Sequence, residues 1–315
     1  MNCAERLWPI VTVIGHIRPI RTIFYKRAIP YLLILPALFI VGGVLLYPTV
    51  ELLRFSFLDW SFGKELSTAE WTGLDNYLWL LSSPSSTLLH ALKLTLIYVV
   101  ASITIELLLG MVIALLLNQN LVGRSLLVTG FMIPAILMPV MVGMMWRMYF
   151  YQNGIVNYIL RTLFGLDINW YSATWAMPAV ILVEVWQGTP FFVLSLLAGL
   201  RALPEEIFEA AEVDGASAWQ RFLSITVPLL KPVIIVCAII RTMWLLKAFD
   251  VIYVMYTGGP GSATEVLGLT IYRALFLARR IGVSSAISII LILLSLAVTF
   301  VFIRFLYRTK TELEV

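Results

Sequence analysis

The chain has 315 residues, of which 61% are hydrophobic and 13% are charged, with a formal net charge of +4 at pH 7. Soluble domains are about half apolar and about a quarter charged, so this composition argues against a soluble globular protein. The cations are spread along the chain rather than gathered on one tail or segment, which argues against a nucleic-acid-binding protein. The composition therefore favours a protein whose surroundings are membrane lipid.

Six apolar runs are each long enough to cross a bilayer, because a helical span needs about 20 apolar residues. Only helices and closed barrels satisfy every backbone polar group in lipid, and these runs are too continuously apolar for barrel strands. We therefore predict an all-α membrane protein with six spans in one domain over residues 29–310. The predicted spans are about 29–53, 91–117, 125–149, 174–199, 232–255 and 283–306.

The distribution of Lys and Arg between the loops predicts the orientation of the chain. The positive-inside rule places the more basic short loops in the cytoplasm, and here these are the N-terminal segment, the C-terminal segment and two of the loops. We predict that both termini are cytoplasmic. Residues 1–28 mix cations with apolar side chains, so they are either an interfacial helix or a partly ordered tail.

The sequence gives no sign of a metal site or of catalytic residues. Cys3 and Cys237 lie far apart, and His16 and His90 have no metal-ligand companions at suitable spacing. Neither an HExxH motif nor a GxSxG motif with suitable partners occurs. We therefore expect a chain that binds no metal or cofactor and is not itself an enzyme.

The sequence of residues 200–231, between the fourth and fifth spans, is typical of two short helices joined by a tight turn. Pro204 suits the first position of a helix, and Gly215 can adopt the left-handed conformation that ends one. Ser217 and Gln220 match a capping box, and Pro228 and Pro232 are expected to stop the second helix at the membrane. We predict a rigid cytoplasmic elbow.

The elbow has the character of a docking surface for another protein. Small alanines lie beside apolar side chains such as Phe208 and Trp219, and the chain has no GxxxxGK[ST] phosphate-binding loop of its own. An elbow of this kind in a chain without a nucleotide-binding site indicates that a second polypeptide supplies the energy that moves it.

The elbow resembles the signature of the permease subunits of ATP-binding-cassette (ABC) importers, which is EAA, three residues, Gly, nine residues and Ile-x-Leu-Pro. Here the spacing is kept, and Val227 replaces the usual Leu. The resemblance implies that the elbow residues dock into a separate ATPase that binds ATP and Mg. The implied coupling residues are Glu209, Ala210, Ala211, Asp214, Gly215, Ile225 and Pro228.

A second stretch, Phe249-Asp250-Val251-Ile252-Tyr253-Val254 followed by Tyr256-Thr257-Gly258-Gly259-Pro260-Gly261, is similar to the maltose-type carbohydrate-uptake permeases. This resemblance implies a type I importer fold with six transmembrane helices and a cytoplasmic coupling helix-turn-helix. It also implies a heterodimer with a second homologous permease, two ATPase subunits, an extracytoplasmic solute-binding protein and a sugar substrate.

Polar residues inside the spans are candidates for the substrate pathway, because they are costly in lipid and usually face the bundle interior. Glu184, Trp186 and Gln187 offer hydrogen-bonding groups beside an aromatic ring, although a purely structural role stays open. In the fifth span every third residue is polar or aromatic, but helical geometry turns Arg241 and Asp250 to opposite sides. Lys247 and Asp250 could also form a neutralising pair. The candidates are Glu184, Trp186, Gln187, Arg241, Trp244, Lys247 and Asp250, whereas Glu106 is expected to be structural.

The sequence thus predicts an ATP-driven sugar importer subunit of the cytoplasmic (inner) membrane that works by alternating access. The alternative is an ion-coupled secondary transporter in which Glu184 or Asp250 carries a proton. Such transporters often have broken helices at corresponding positions of two halves, and the sequence lacks that pairing.

Overall fold

The computed structural model describes residues 31–119 and 121–313, and for residues 307–313 it describes the backbone alone. The expectations for residues 1–28 lie outside the described residues. Helices form nearly all of the regular structure, and two short strands, β1 (Leu58–Asp59) and β2 (Glu70–Trp71), pair antiparallel. In chain order the helices are α1 (Tyr31–Phe55), α2 (Asp75–Ser82), α3 (Leu88–Asn118), α4 (Arg124–Ile136), α5 (Pro139–Tyr149), α6 (Ile155–Phe164), α7 (Ala176–Arg201), α8 (Glu205–Val213), α9 (Ala218–Leu246), α10 (Asp250–Tyr256), α11 (Leu267–Leu277) and α12 (Ile281–Leu313).

Among the described residues, five helices are each long and apolar enough to cross a membrane, namely α1, α3, α7, α9 and α12. The pair α4 and α5 makes a sixth span if it is counted as one broken crossing. These helices cover the positions of the six predicted spans with ends that differ by a few residues, except for the fifth, where α9 begins 14 residues earlier and ends nine residues earlier than predicted.

The chain divides into two compact units, Met1–Phe55 and Ser56–Val315. In the described part of the first unit, α1 widens into a π-helical segment at Val41–Leu46, and its apolar side chains are exposed. An apolar helix with no buried face is typical of a segment that is covered by lipid or by another helix.

The core of the second unit is built where α3 and α7 pack along each other. Gly110 of α3 allows this close approach, because a Cβ at this position would lie 2.5 Å from the Cβ of Phe192. Leu196 and Leu230 add fully buried side chains from α7 and α9. Since lipid is as apolar as leucine, small residues and tight packing hold such helices together in a membrane.

The apolar run over 125–149, expected as one span, is not a single helix. It bends by 95° between α4 and α5, and Leu137 and Met138 have extended ψ angles of 139° and 135°. Pro139 explains the break, because proline disfavours helical backbone in the residue before it and has no N–H to donate. The bend places Ala135 and Pro139 on the wall of a central cavity.

A second break interrupts the fifth span after α9, where Lys247, Ala248 and Phe249 separate α9 from α10. Gly268 of α11 makes room for this break, since a Cβ there would lie 2.7 Å from the carbonyl oxygen of Ala248. The residues after Leu246 therefore do not continue the helical direction of Arg241.

The structure corrects the expected end of the second elbow helix. Pro228 and Pro232 do not stop it, because α9 runs unbroken from Ala218 to Leu246 and contains both prolines. A π-helical segment at Phe222–Thr226 lies just before Pro228. Such π-helical turns accommodate the backbone hydrogen bonds that the prolines interrupt. The second arm of the elbow and the fifth span therefore form one continuous helix.

Candidate functional site

The elbow between α8 and α9 has the predicted local geometry. Gly215 has φ +78°, and the N–H groups of Gly215 and Ala216 donate to the carbonyl oxygens of Glu212 and Ala211 at 3.0 and 2.9 Å. This is the hydrogen-bond pattern of a Schellman motif, in which a left-handed glycine ends the helix. The predicted left-handed corner at Gly215 is confirmed. Pro204, predicted at the first helical position, is instead the N-cap with an extended ψ of 129°, and α8 begins at Glu205.

A capping box opens α9. The N–H of Ser217 donates to Gln220 Oε1 at 2.8 Å, and the N–H of Gln220 donates to Ser217 Oγ at 3.3 Å. An ion pair between Arg221 and Glu212 at 2.9 Å joins the two arms of the elbow. The corner is therefore fixed by backbone bonds, side-chain caps and one exposed ion pair.

The outer surface of the elbow is exposed and partly apolar. Val213 and Trp219 are 89% and 67% exposed. The coupling candidates Glu209, Ala210, Asp214 and Gly215 are exposed as well, Ala211 is half-buried, and Ile225 and Pro228 are half-buried further along α9. Exposed apolar side chains on a rigid elbow are typical of a protein-protein contact.

A cavity of about 280 Å³ lies between α3, α7, α9 and the two chain breaks. Six of the seven predicted pathway residues line this central cavity, namely Glu184, Gln187, Arg241, Trp244, Lys247 and Asp250. The expectation that Arg241 and Asp250 face opposite sides is wrong, because α9 ends at Leu246 and the break turns Asp250 back toward the cavity.

A buried charge cluster forms one wall of the cavity. Arg241 donates from Nε and Nη2 to the two carboxylate oxygens of Glu106, at 2.6 and 2.8 Å. Nη2 also donates to Glu184, whose other oxygen accepts a hydrogen bond of 2.7 Å from the hydroxyl of Tyr98. Two carboxylates thus surround one guanidinium, and Glu106 is fully buried. A buried charge is tolerated when its partners satisfy it in this way.

Gly188 is the reason that the charge cluster fits. A Cβ at this position would lie 2.5 Å from Glu106 Oε1 and would overlap the guanidinium of Arg241. The absence of a side chain on this face of α7 leaves the space that Arg241 occupies.

Gln187 and Trp186 have separate surroundings. Gln187 Nε2 donates to the carbonyl oxygen of Leu137 at 3.0 Å, and so it satisfies a backbone group at the bend between α4 and α5. Trp186 does not line the central cavity. It lies on a neighbouring apolar groove of about 630 Å³ and packs edge-on against Trp146, with ring centroids 5.6 Å apart.

Trp244, Lys247 and Asp250 present accessible groups to the cavity. Trp244 is 51% exposed and packs beside Phe191 and Arg241. Within the part of the chain that the structure describes, Lys247 and Asp250 form no salt bridge, so the alternative of a neutralising pair is not supported. An aromatic ring beside free donors and acceptors is suited to a hydroxyl-rich molecule.

Sequence reasoning missed the parts played by Tyr98 and Gly188, and it expected a structural role for Glu106 without identifying Arg241 as its partner. One signal was available, since a buried arginine in a span requires acidic partners and Glu106 is an acid inside another span. Nothing in the chain indicated that Tyr98 or Gly188 would complete the cluster.

Among the described residues there is no group of three or more His, Cys, Asp or Glu side chains arranged to hold a metal ion.

Residues 106–310 match the protein family described as "Binding-protein-dependent transport system inner membrane component". The chain belongs to this family. The matched region includes the three charged residues of the cluster, the elbow and both chain breaks, and it confirms the family that the elbow signature predicted.

Named relatives are similar over most of their length. The chain is 38% identical over 284 residues to the trehalose/maltose transport system permease protein MalF of Thermococcus litoralis, covering 89% of this chain and 94% of that protein. It is 33% identical over 281 residues to the trehalose transport system permease protein SugA of Mycobacterium tuberculosis, covering 89% of each.

Solved structures agree on the fold. A chain of a bacterial ABC transporter involved in the import of the acidic polysaccharide alginate superposes with a TM-score of 0.77 at 22% sequence identity, covering 92% of this chain and 99% of that one. The MetNI methionine ABC transporter, in an inward-facing conformation, gives a TM-score of 0.52 at 17% identity over 75% of this chain and 98% of the other. The architecture is the type I importer fold, and the chain is a multi-pass inner-membrane permease component.

Proposed function

We propose that this chain is a permease subunit of an ATP-driven importer that moves a sugar or sugar-derived solute across the cytoplasmic membrane by alternating access. The observation that carries the proposal is the rigid, exposed elbow, whose EAA-x3-Gly spacing folds around a left-handed Gly215. Because α9 continues as one helix from this elbow to Leu246, a displacement of the elbow is transmitted to the residues that line the central cavity.

The energy comes from a separate ATPase in this proposal. The chain has no phosphate-binding loop, so ATP and Mg are bound by two copies of a partner subunit that dock on Glu209, Ala210, Ala211, Asp214 and Gly215. This chain binds no cofactor and performs no chemistry. The elbow then lies on the cytoplasmic side, with both termini on that side as the Lys and Arg distribution predicts.

The substrate is a sugar in this proposal, and three observations support the choice. Relatives are named for trehalose and maltose, for trehalose, and for sulfoquinovosyl glycerol. The cavity offers Trp244 as an aromatic platform, and it offers Arg241, Lys247 and Asp250 as hydrogen-bonding groups. The family is described as binding-protein-dependent, and a solved alginate transporter was crystallised with an oligosaccharide-bound periplasmic protein.

The remaining partners follow from the same reasoning. A second, homologous permease forms the other half of the pathway, since this chain encloses the central cavity only in part. A solute-binding protein delivers the sugar from the outer side. Closing and opening of the ATPase dimer then switches access to the cavity between the two sides.

Reconstitution of the assembled transporter in vesicles tests the proposal. We expect ATP enclosed with the ATPase subunits to drive uptake of a sugar from a panel that includes trehalose and maltose. Gly215→Asp is expected to abolish uptake while the chain still inserts into the membrane. Normal ATP-coupled uptake by this variant would contradict the role of the elbow.

An ion-coupled secondary transporter is the alternative function. The two chain breaks, at Leu137–Met138 and at 247–249, have the form of the broken helices found in such transporters. Uptake that continues without ATP and disappears when the proton gradient is collapsed would favour this alternative. Under the proposal, uptake stops without ATP and survives a proton ionophore.

A further inference from the structure

A second cavity, of about 450 Å³, lies where α4 begins and α7 ends, and it shares no lining residue with the central cavity. Two arginines, Arg124 and Arg201, line it together with the hydroxyl-bearing residues Ser125 and Thr129. None of the described residues that line it is acidic. This Arg124 pocket therefore concentrates positive charge without a compensating carboxylate.

The guanidinium of Arg124 has unused hydrogen-bonding capacity inside the pocket. Its Nε and Nη2 atoms are buried, and neither has a hydrogen-bond partner among the described residues. Buried polar groups in proteins are almost always paired, and an unpaired buried cation is costly. Two adjacent N–H donors in this arrangement are the fork that binds two oxygens of a carboxylate or phosphate.

The position of Arg124 at the start of a helix adds to the free-energy cost of its unpaired charge. It is the first residue of α4, after Gly123, and the partial positive charge at a helix N-terminus disfavours a cation. The exposed Arg201, in the last turn of α7, adds a second positive charge on the pocket wall. A bound anion would offset the repulsion of Arg124 by the helix N-terminus and by Arg201. It would also accept hydrogen bonds from Nε and Nη2 of Arg124.

We infer that the Arg124 pocket binds a phosphate-bearing anion through Arg124 and Arg201. Two sources share this chemistry, the headgroup of an anionic phospholipid and free phosphate. The membrane location favours the headgroup, because basic pockets between spanning helices bind anionic lipids. Leu126, the third residue of α4, is 80% exposed and lines the apolar groove that also contains Trp186.

Lipid titration of the purified full-length chain tests this inference and does not depend on the transport assignment. Fluorescent phosphatidylglycerol is titrated into the chain in neutral detergent, with phosphatidylcholine of the same acyl length as the comparison and millimolar inorganic phosphate as a competitor. We expect the chain to bind phosphatidylglycerol more tightly than phosphatidylcholine. Arg124→Gln is expected to weaken that binding about tenfold, since hydrogen bonds to a charged group are lost.

Two further variants make the result specific. Arg201→Gln is expected to weaken binding by a smaller factor, because Arg201 is more exposed to solvent. Arg304→Gln is the matched control, since it removes one exposed arginine from a spanning helix outside the Arg124 pocket. Its affinity for phosphatidylglycerol is expected to stay that of the parent chain.

The outcomes separate the possible sources. Loss of phosphatidylglycerol binding in Arg124→Gln alone or in both pocket variants supports the inference, and competition by inorganic phosphate at equal affinity assigns the site to free phosphate. If Arg124→Gln binds phosphatidylglycerol as tightly as the parent chain, or if Arg304→Gln loses binding to the same extent, the inference is overturned.

Discussion

Arg241 and Glu106 join α9 to α3 through two parallel hydrogen bonds, from Nε and Nη2 to the two carboxylate oxygens at 2.6 and 2.8 Å. The two residues are 135 positions apart in the chain. This bidentate geometry fixes the rotation of α9 relative to α3, because a planar guanidinium meets a carboxylate in one orientation. The same guanidinium also donates to Glu184 of α7, which lines the central cavity, so Arg241 links this acid to the fully buried Glu106.

Arg241→Met should destabilise the protein strongly. The variant leaves Glu106 and Glu184 buried without their counter-charge, and loss of one partner of a buried pair costs about 3–5 kcal/mol. Glu106→Gln should cost less, because Arg241 keeps Glu184 as an ionised partner. Denaturant unfolding of the purified chain, followed by tryptophan fluorescence, measures both free energies of unfolding.

Ser102→Ala is the matched control for the charge cluster. Ser102 lies one turn before Glu106 on α3, is fully buried, and its hydroxyl has no hydrogen-bond partner among the described residues. Removing this hydroxyl should change the free energy of unfolding little. An effect as large as that of Arg241→Met would show that any polar change on this face of α3 is damaging.

Gly188→Ala should reduce transport, because its methyl group would occupy the space of the Arg241 guanidinium. Displacing Arg241 also moves Glu184, so we expect the rate of sugar uptake per assembled complex to fall at least several-fold. Gly130→Ala is the control, since a Cβ there meets nothing within 4 Å and alanine favours a helix. Equal uptake by the two variants would mean that the cluster has no role in transport.

Gly215→Asp should uncouple the elbow from its partner. Any side chain at φ +78° costs about 1–2 kcal/mol in a left-handed backbone, and the carboxylate adds charge to the docking surface. The expected result is a chain that inserts normally, and whose transport and co-purification with ATPase subunits are lost.

Gly165→Asp separates backbone strain from the docking surface. Gly165 also ends a helix with a left-handed φ, of +68°, and a Cβ there meets nothing within 4 Å. Gly165→Asp therefore introduces a similar backbone strain in a turn outside the elbow. This variant should keep ATPase binding and uptake. Loss of ATPase binding in both variants would assign the effect to strain alone.

Lys247→Ala and Asp250→Ala should reduce transport without changing stability. Both side chains are exposed at the central cavity and form no salt bridge within the described part of the chain, so their removal breaks no ion pair. We expect several-fold slower sugar uptake and an unchanged unfolding temperature. Lys64→Ala, an exposed lysine outside the cavity, provides the comparison, and uptake equal to that control would remove these two residues from the pathway.

The local features of the chain could be predicted from the sequence because their causes are local. A run of about 20 apolar residues has few stable conformations in lipid other than a helix. The elbow depends on residues that are neighbours in the chain, with Gly215 supplying the left-handed corner and Ser217 the cap. The corner and its cap were therefore predicted correctly, whereas Pro204 lies one residue before the helix and α9 does not end at Pro228 or Pro232.

The central cavity could be predicted only in part, because it depends on where two helices stop. A continuous fifth span would have turned Asp250 away from Arg241, and the break at 247–249 contains neither proline nor glycine to reveal it. The break becomes possible through Gly268, which is distant in the chain and admits the Ala248 carbonyl.

The sequence by itself determined the apolar spans and the elbow, since helix formation in lipid and helix capping are decided within a few turns of the chain. Only the tertiary structure decided that Glu106, Glu184 and Tyr98 surround Arg241 and that Gly188 leaves room for it. A buried charge can be satisfied by any acid that the packing brings close, and that choice depends on the rotation and spacing of three helices together.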